Sequence, residues 1–152
     1  MNFEDKINEL KIKLPKAADP VGSYVAAKIS NKMLFISGQI SINEKGELIK
    51  GKLGKDLDTE AGYNAAKRCA LSIIAQVKKF CGGDLSKIKE CIKLTGYVNS
   101  NEDFIEQPKV INGASDLISK IFDNNGHARA AISSNSLPLG VAVEVEAIFE
   151  LK

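Results

Sequence analysis

The sequence predicts an α+β domain in which two helices cover one face of a mixed sheet. Two long segments carry apolar residues at helical spacing, five shorter ones alternate or are rich in β-branched residues, and their order is ββαβαββ after a short terminal helix. The 152 residues suit one domain over 1–152, with 1–19 as an N-terminal helix and loop extension.

From about Asn2 to Leu14, the residues Phe3, Ile7, Leu10 and Leu14 recur at helical spacing until Pro15 stops them. In KAADPVGSY, Pro20 and Gly22 are turn residues. A first strand is expected from Tyr24 to Ile29. Asn31-Lys32 should then turn the chain into a second, MLFISGQI. Ser37-Gly38-Gln39 interrupts that strand, and Gly38 marks a bulge or a strand end. The polar turn NEKGEL leads to the lysine-rich KGKLGK, which reads first as a solvated loop and second as a phosphate contact.

Asp58 or Thr59 caps a long helix reaching about Cys81. Ala66, Ala70, Ile73, Val77 and Phe80 keep one face of it apolar, with Ile74 beside them, and Gly82-Gly83 closes it. A strand from Glu90 to Asn99 places Ile92, Leu94, Gly96 and Val98 on one side. Pro108 suits the first turn of a second helix. Its buried stripe is Val110 or Ile111, Ala114, Leu117 or Ile118, and Ile121. Asn124-Asn125-Gly126 ends it, and a C-terminal strand pair follows. Two helices cover only one sheet face, so the other calls for a second subunit and a homo-oligomer is expected.

Composition narrows the function classes. A net charge of +2 lacks the basic stripe of a dedicated nucleic-acid binder. Cys69, Cys81 and Cys91 are odd in number, show no CxxC spacing and have only His127 for company, which argues against a Cys/His zinc site. Their apolar surroundings suit buried free thiols in a reducing cytosol. The charged start MNFEDKINELKIKL has no signal-peptide core, and no apolar run reaches membrane-spanning length. A cytoplasmic protein with no membrane partner is expected.

The stretch GHARAAISSNSLPLGVAVEVEAIFEL holds two apolar segments joined by a Ser/Asn/Pro/Gly loop. Arg129 opens the first. In the second, Val143, Val145, Ala147, Phe149 and Leu151 fall on one face, and Ala142, Glu144, Glu146, Ile148 and Glu150 on the other. An arginine at one strand's start, with carboxylates on its expected partner strand, suits a small polar site. Residue by residue, the plainer reading is solvated surface.

SGQI after a strand, NGAS in the second helix, and HAR followed by LP and VEVEAI together resemble the YjgF/RidA family. These are reactive-intermediate (imine and enamine) deaminases, often labelled endoribonuclease L-PSP-like. The likeness runs from about Pro20 to Leu151. The longer N-terminus, KGKLGKDL and HAR point to the family's longer branch. The resemblance implies a fold similar to chorismate mutase of the bacterial α/β type. It also implies a homotrimer with an inner barrel of sheets and three clefts between neighbours. By the same resemblance Arg129 matches the substrate-carboxylate arginine and Glu144 the glutamate near the attacking water. Tyr24 matches the cleft-wall tyrosine, Ser37 the serine of SGQ, and Asn112 the asparagine of the second helix. Where many short members carry a cysteine, two residues after the arginine, this chain has Ala131, which leaves only a backbone N–H to meet substrate. His127 reads as a cleft donor or as a cap on the strand entrance.

The implied substrate is a 2-imino acid or its enamine tautomer, hydrolysed to a 2-keto acid and ammonia. Arginine suits such a carboxylate because its planar fork binds bidentately. Glu144 would orient water or move its proton. No metal or organic cofactor is required, since an imine is already a good electrophile. One rival is a non-catalytic keto-acid-binding regulatory module, which keeps Arg129 without needing Glu144. The other is an endoribonuclease, which charge and the single histidine disfavour, although Lys50, Lys52 and Lys55 keep it open.

Overall fold

The computed structural model describes residues 2–122 and 125–152. The chain runs α1 (Phe3–Glu9), β1 (Ala27–Ser30), β2 (Met33–Ile40), α2 (Thr59–Phe80), β3 (Ile88–Asn99), α3 (Gln107–Phe122), β4 (Ala128–Ser134) and β5 (Val143–Leu151). Single 3-10 turns lie at Leu85–Lys87 and Pro138–Gly140. The predicted order, a terminal helix and then ββαβαββ, is the observed one.

Local chemistry explains most boundaries. The Asn2 side chain accepts from the Asp5 N–H while Asp5 accepts from the Asn2 N–H, a capping box that starts α1. The expected run to Leu14 does not form. The Ile12 N–H donates to the Ile7 carbonyl and the Lys11 N–H to that of Asn8, both at 3.0 Å, with Lys11 at φ 53°. This Schellman closure ends the helix early. Asp58 caps α2 by accepting from the Ala61 N–H at 2.8 Å, and Gly82 and Gly83 take the positive φ expected after it. Asn31 and Lys32 are both at positive φ, as a two-residue hairpin turn requires. The strand they follow starts at Ala27 rather than Tyr24. Of the predicted stop after α3, Asn124 lies outside the described residues, and Gly126 has φ 81°.

The sheet order is β1-β2-β5-β3-β4, antiparallel except for the parallel β3–β4 pair. This corrects the expectation of a C-terminal strand pair, because β3 separates β4 from β5. Burial gives the reason: Val143, Val145 and Phe149 are wholly buried, whereas β4 buries no residue fully. The strand with most to hide takes the centre, and the poorer one takes the edge. The predicted interruption of β2 is a bulge, for Ile36 pairs with Ala147 and Gln39 with Val145. A second bulge in β3 overturns one assignment. Cys91 pairs with Phe149 and Lys93 with Ile148, so Ile92 is the extra residue and buried Cys91 takes the inward position expected of it.

α2 and α3 lie on the sheet face that carries Leu34, Ile36, Leu94, Val98 and Val145. α1 joins them edge-on, with Phe3 and Phe122 rings 5.0 Å apart. Among the described residues no helix lies over the other face, and Phe35 and Ile132 stand exposed there. The two helices touch where α3 has no side chain: a Cβ at Gly113 would lie 1.9 Å from the Tyr63 carbonyl oxygen. Exchanging glycine for alanine favours a helix by about 1 kcal/mol. Here backbone blocks the methyl group, so Gly113→Ala should lower stability by roughly 1–3 kcal/mol. Urea unfolding checks this, and an unchanged or raised midpoint would refute the close approach.

Candidate active site

Arg129, the second residue of β4, is in register with buried Leu94, so its side chain leaves the sheet on the helix side. There its Nη1 donates to Asn112 Oδ1 at 2.6 Å and to Ser115 Oγ at 3.3 Å. Asn112 and Ser115 are one turn apart on α3, and His127 Nε2 lies 2.9 Å from Ser115 Oγ. Burial, and then the charge of Arg129, push the His127 pKa below its usual value, so the ring is neutral at physiological pH. Among the described residues Arg129 is in no ion pair. Ala131, two residues on, shares its side of β4 opposite Gly96. Sequence reasoning named Asn112 and missed Ser115, for which the i, i+3 spacing was the available signal.

Glu144 sits elsewhere. In β5 it pairs with Ile40 and Tyr97, between core-facing Val143 and Val145, and therefore points to the opposite side of the sheet. A Cβ at Gly38 would lie 2.2 Å from Glu144 Oε1, so the carboxylate occupies the room a side chain at the bulge would take. Glu144 is half-buried. That burial, and then the neighbouring Glu146, raise its pKa. Tyr24, Gly38 and Glu144 share a cleft of about 400 Å³, walled also by Pro138 and Leu139. Ser37 Oγ donates to the Val25 carbonyl at 2.7 Å, tying the segment that carries Tyr24 to β2. Tyr24 and Ser37 also line an adjoining depression of about 480 Å³ on the helix-free face.

Within one chain the predicted residues thus form two clusters. Asn112, Arg129 and Ala131 lie at the β4 edge; Tyr24, Ser37 and Glu144 lie toward the other face. The expected juxtaposition of Arg129 with the carboxylates of a partner strand does not occur inside the chain. Lys52 is also committed elsewhere, its Nζ donating to Asn99 Oδ1 at 2.9 Å and to the Asn135 carbonyl. Cys69, Cys81 and Cys91 are buried as expected. Burial raises all three thiols, Cys91 to about 12, which keeps them protonated. Among the described residues no group of three His, Cys, Asp or Glu is placed to hold a metal, and no helix is long and apolar enough to cross a membrane.

The raised Glu144 pKa has a thermodynamic signature. Above the ordinary value of 4.5 the folded chain holds this proton longer than the unfolded chain does, so stability falls as pH rises through the window. Above that window the fold carries the whole cost of that charge. Glu144→Gln should therefore unfold later than the parent at neutral pH, with the advantage fading well below 4.5. Thermal melts at both pH values test it; a variant less stable at neutral pH would contradict the sign.

Comparison with known proteins agrees with this fold. The family described as "YjgF/chorismate mutase-like, putative endoribonuclease" matches residues 4–151. Protein TCP17 of Trypanosoma cruzi is 43% identical over 147 residues, covering 95% of this chain and 91% of its own. The crystal structure of Atu1372 from Agrobacterium tumefaciens, a protein of unknown function, superposes with a TM-score of 0.89 at 42% identity, over 99% of this chain and 92% of that one. The human 2-iminobutanoate/2-iminopropanoate deaminase is 28% identical over 138 residues, covering 90% of this chain and 86% of its own. With its ββαβαββ mixed sheet and helices on a single face, the chain belongs to the YjgF/chorismate mutase-like family.

Proposed function

We propose that the protein hydrolyses 2-imino acids, or their enamine tautomers, to 2-keto acids and ammonia in clefts between the subunits of a homotrimer. The observation that carries this reading is the state of Arg129. Its guanidinium is fixed by two neutral oxygens and meets no carboxylate among the described residues, so its charge is left for an anionic ligand. The human relative named as an iminobutanoate deaminase supports the substrate class.

The two clusters complement each other across a subunit boundary. One chain's β4 edge brings Arg129, Asn112 and the Ala131 N–H; a neighbour's helix-free face brings Glu144, Tyr24 and Ser37. The arginine holds the substrate carboxylate, which fixes the adjacent imine carbon. Water adds to that carbon as Glu144 takes its proton, and the proton passes to nitrogen. The hydroxyl of the resulting carbinolamine then gives its proton by way of Glu144 to the amino group, and the C–N bond breaks, releasing ammonia and leaving the 2-keto acid. A carboxyl raised toward neutrality suits a group that must accept a proton and return it. The regulatory-module reading keeps the arginine cluster and omits this step. The endoribonuclease reading is weakened because Lys52 spends its ammonium inside the fold.

Arg129→Ala loses charge-assisted bonds of roughly 1.5–3 kcal/mol, so keto-acid binding should weaken about ten- to over a hundredfold. Arg129→Lys should recover only part of this. Glu144→Gln should keep keto-acid affinity while ammonia release from an imine formed in situ falls ~10²–10⁴-fold. Calorimetry and ammonia assays on the same variants decide. Unchanged affinity in Arg129→Ala would sink the site, and a parent that binds but never accelerates imine decay would leave the regulatory module. Light scattering should give three times the 16.4 kDa chain mass; a clean monomer would remove the composite cleft.

A further inference from the structure

Between the N-terminal extension and α2 runs a groove of about 700 Å³, within the size range of small-molecule sites. It shares no residue with either cluster described above. Its floor is apolar: Ile12 and Ile49 pack on the core, and Ala65 and Leu71 of α2 are buried. Its rim is cationic. Lys11, Lys13, Lys67 and Arg68 surround it against a single acid, Glu44. Arg68 is fixed by neutral partners, with Nε donating to the Ile42 carbonyl at 2.8 Å and Nη2 to that of Asn43 at 3.2 Å. Glu44 offsets it weakly, 3.9 Å away with an 83% exposed side chain. Among the described residues Lys11, Lys13 and Lys67 are in no ion pair.

Lys11 adds a backbone observation. It occupies the helix-closing position at φ 53°, where glycine is free of strain and a lysine is not. The strained residue thus sets an ammonium at the groove's rim. We propose that this groove binds a small amphipathic anion, an acyl or aryl body bearing a carboxylate or phosphate. The apolar floor takes the body, and the lysines and Arg68 take the charge. The extension, which adds no strand to the sheet, builds one wall of this second site.

Anilinonaphthalene sulfonate, an aryl anion that fluoresces when its rings leave water, is the probe. It should saturate at one site per chain, lose affinity as salt rises, and bind more tightly than uncharged phenylnaphthylamine. Lys11→Gly, Lys13→Gln and Lys67→Gln should each weaken it about 1.5- to 5-fold, and the triple variant about tenfold or more. Lys11→Gly should unfold no earlier than the parent, which separates lost charge from lost fold. Arg129→Ala should bind the probe unchanged, so failure here and failure of the deaminase reading are distinguishable. Octanoate or octyl phosphate should displace the probe, and whichever does so names the head group. Equal affinity for the uncharged analogue, an unaffected triple variant, loss of binding in Arg129→Ala, or no displacement by either competitor would each overturn the proposal.

Discussion

The seat of α3 is the constraint on which the arginine cluster depends. Two missing side chains create it. A Cβ at Gly96 in β3 would lie 2.4 Å from Ile111 Cδ1, and one at Gly113 would meet the Tyr63 carbonyl. The helix therefore lies as close to sheet and neighbour as backbone permits, in an interior too dense to let it drift. Asn112 and Ser115 reach Arg129 from that fixed platform. A hydrogen bond of 2.6 Å tolerates little movement, so packing two turns of helix sets the direction of a guanidinium.

The glutamate cluster uses the same device in a strand. The β2 bulge places Gly38 beneath Glu144, and the vacant Cβ position becomes the carboxylate's berth. Separation of the clusters has an electrostatic sense as well. Were Arg129 and Glu144 to meet within one chain, they would neutralise each other and hide both charges from a ligand. On opposite faces, the arginine keeps its charge out of an ion pair among the described residues, while the carboxyl is raised by burial and by Glu146. Only an arrangement that presents one copy's edge to another's open face would bring the two together around a third molecule.

Much of the fold was legible because it follows from local rules. The stripe of α3, that of α2 as far as Val77 (Phe80, expected to extend it, is exposed), the Asp58 cap, the Asn31-Lys32 turn and the bulge at Gly38 each announce themselves within a few residues. What failed depends on competition across the chain. The exclusion of β4 from β5's side follows from how much each strand buries, a comparison no window of sequence contains. Ile92 lost its inward place to Cys91 because a bulge shifts the phase of a strand by one. α1 stopped early because Lys11 adopts a conformation its residue type disfavours. Among the site residues, the arginine and glutamate stood out by resemblance rather than by pattern. Ser115 was missed although it lies one turn from Asn112, since its importance rests on tertiary contacts with His127 and Arg129, beyond its own helix.

The position of β5 bears on how the molecule comes into being. Of the five strands it is synthesised last, yet it lies at the centre of the sheet, joining β2 to β3. Before it emerges from the ribosome, β1–β2 and β3–β4 are two unconnected ladders. Leu34 and Leu94, each wholly buried in the finished protein, then lack the strand that covers them. Pairings such as Ile36 with Ala147 close most of the sequence into one loop, the kind of contact that slows folding most. Nascent chains of this topology must hold apolar strand edges apart until β5 has emerged, which makes the interval before its synthesis their period of greatest exposure to aggregation.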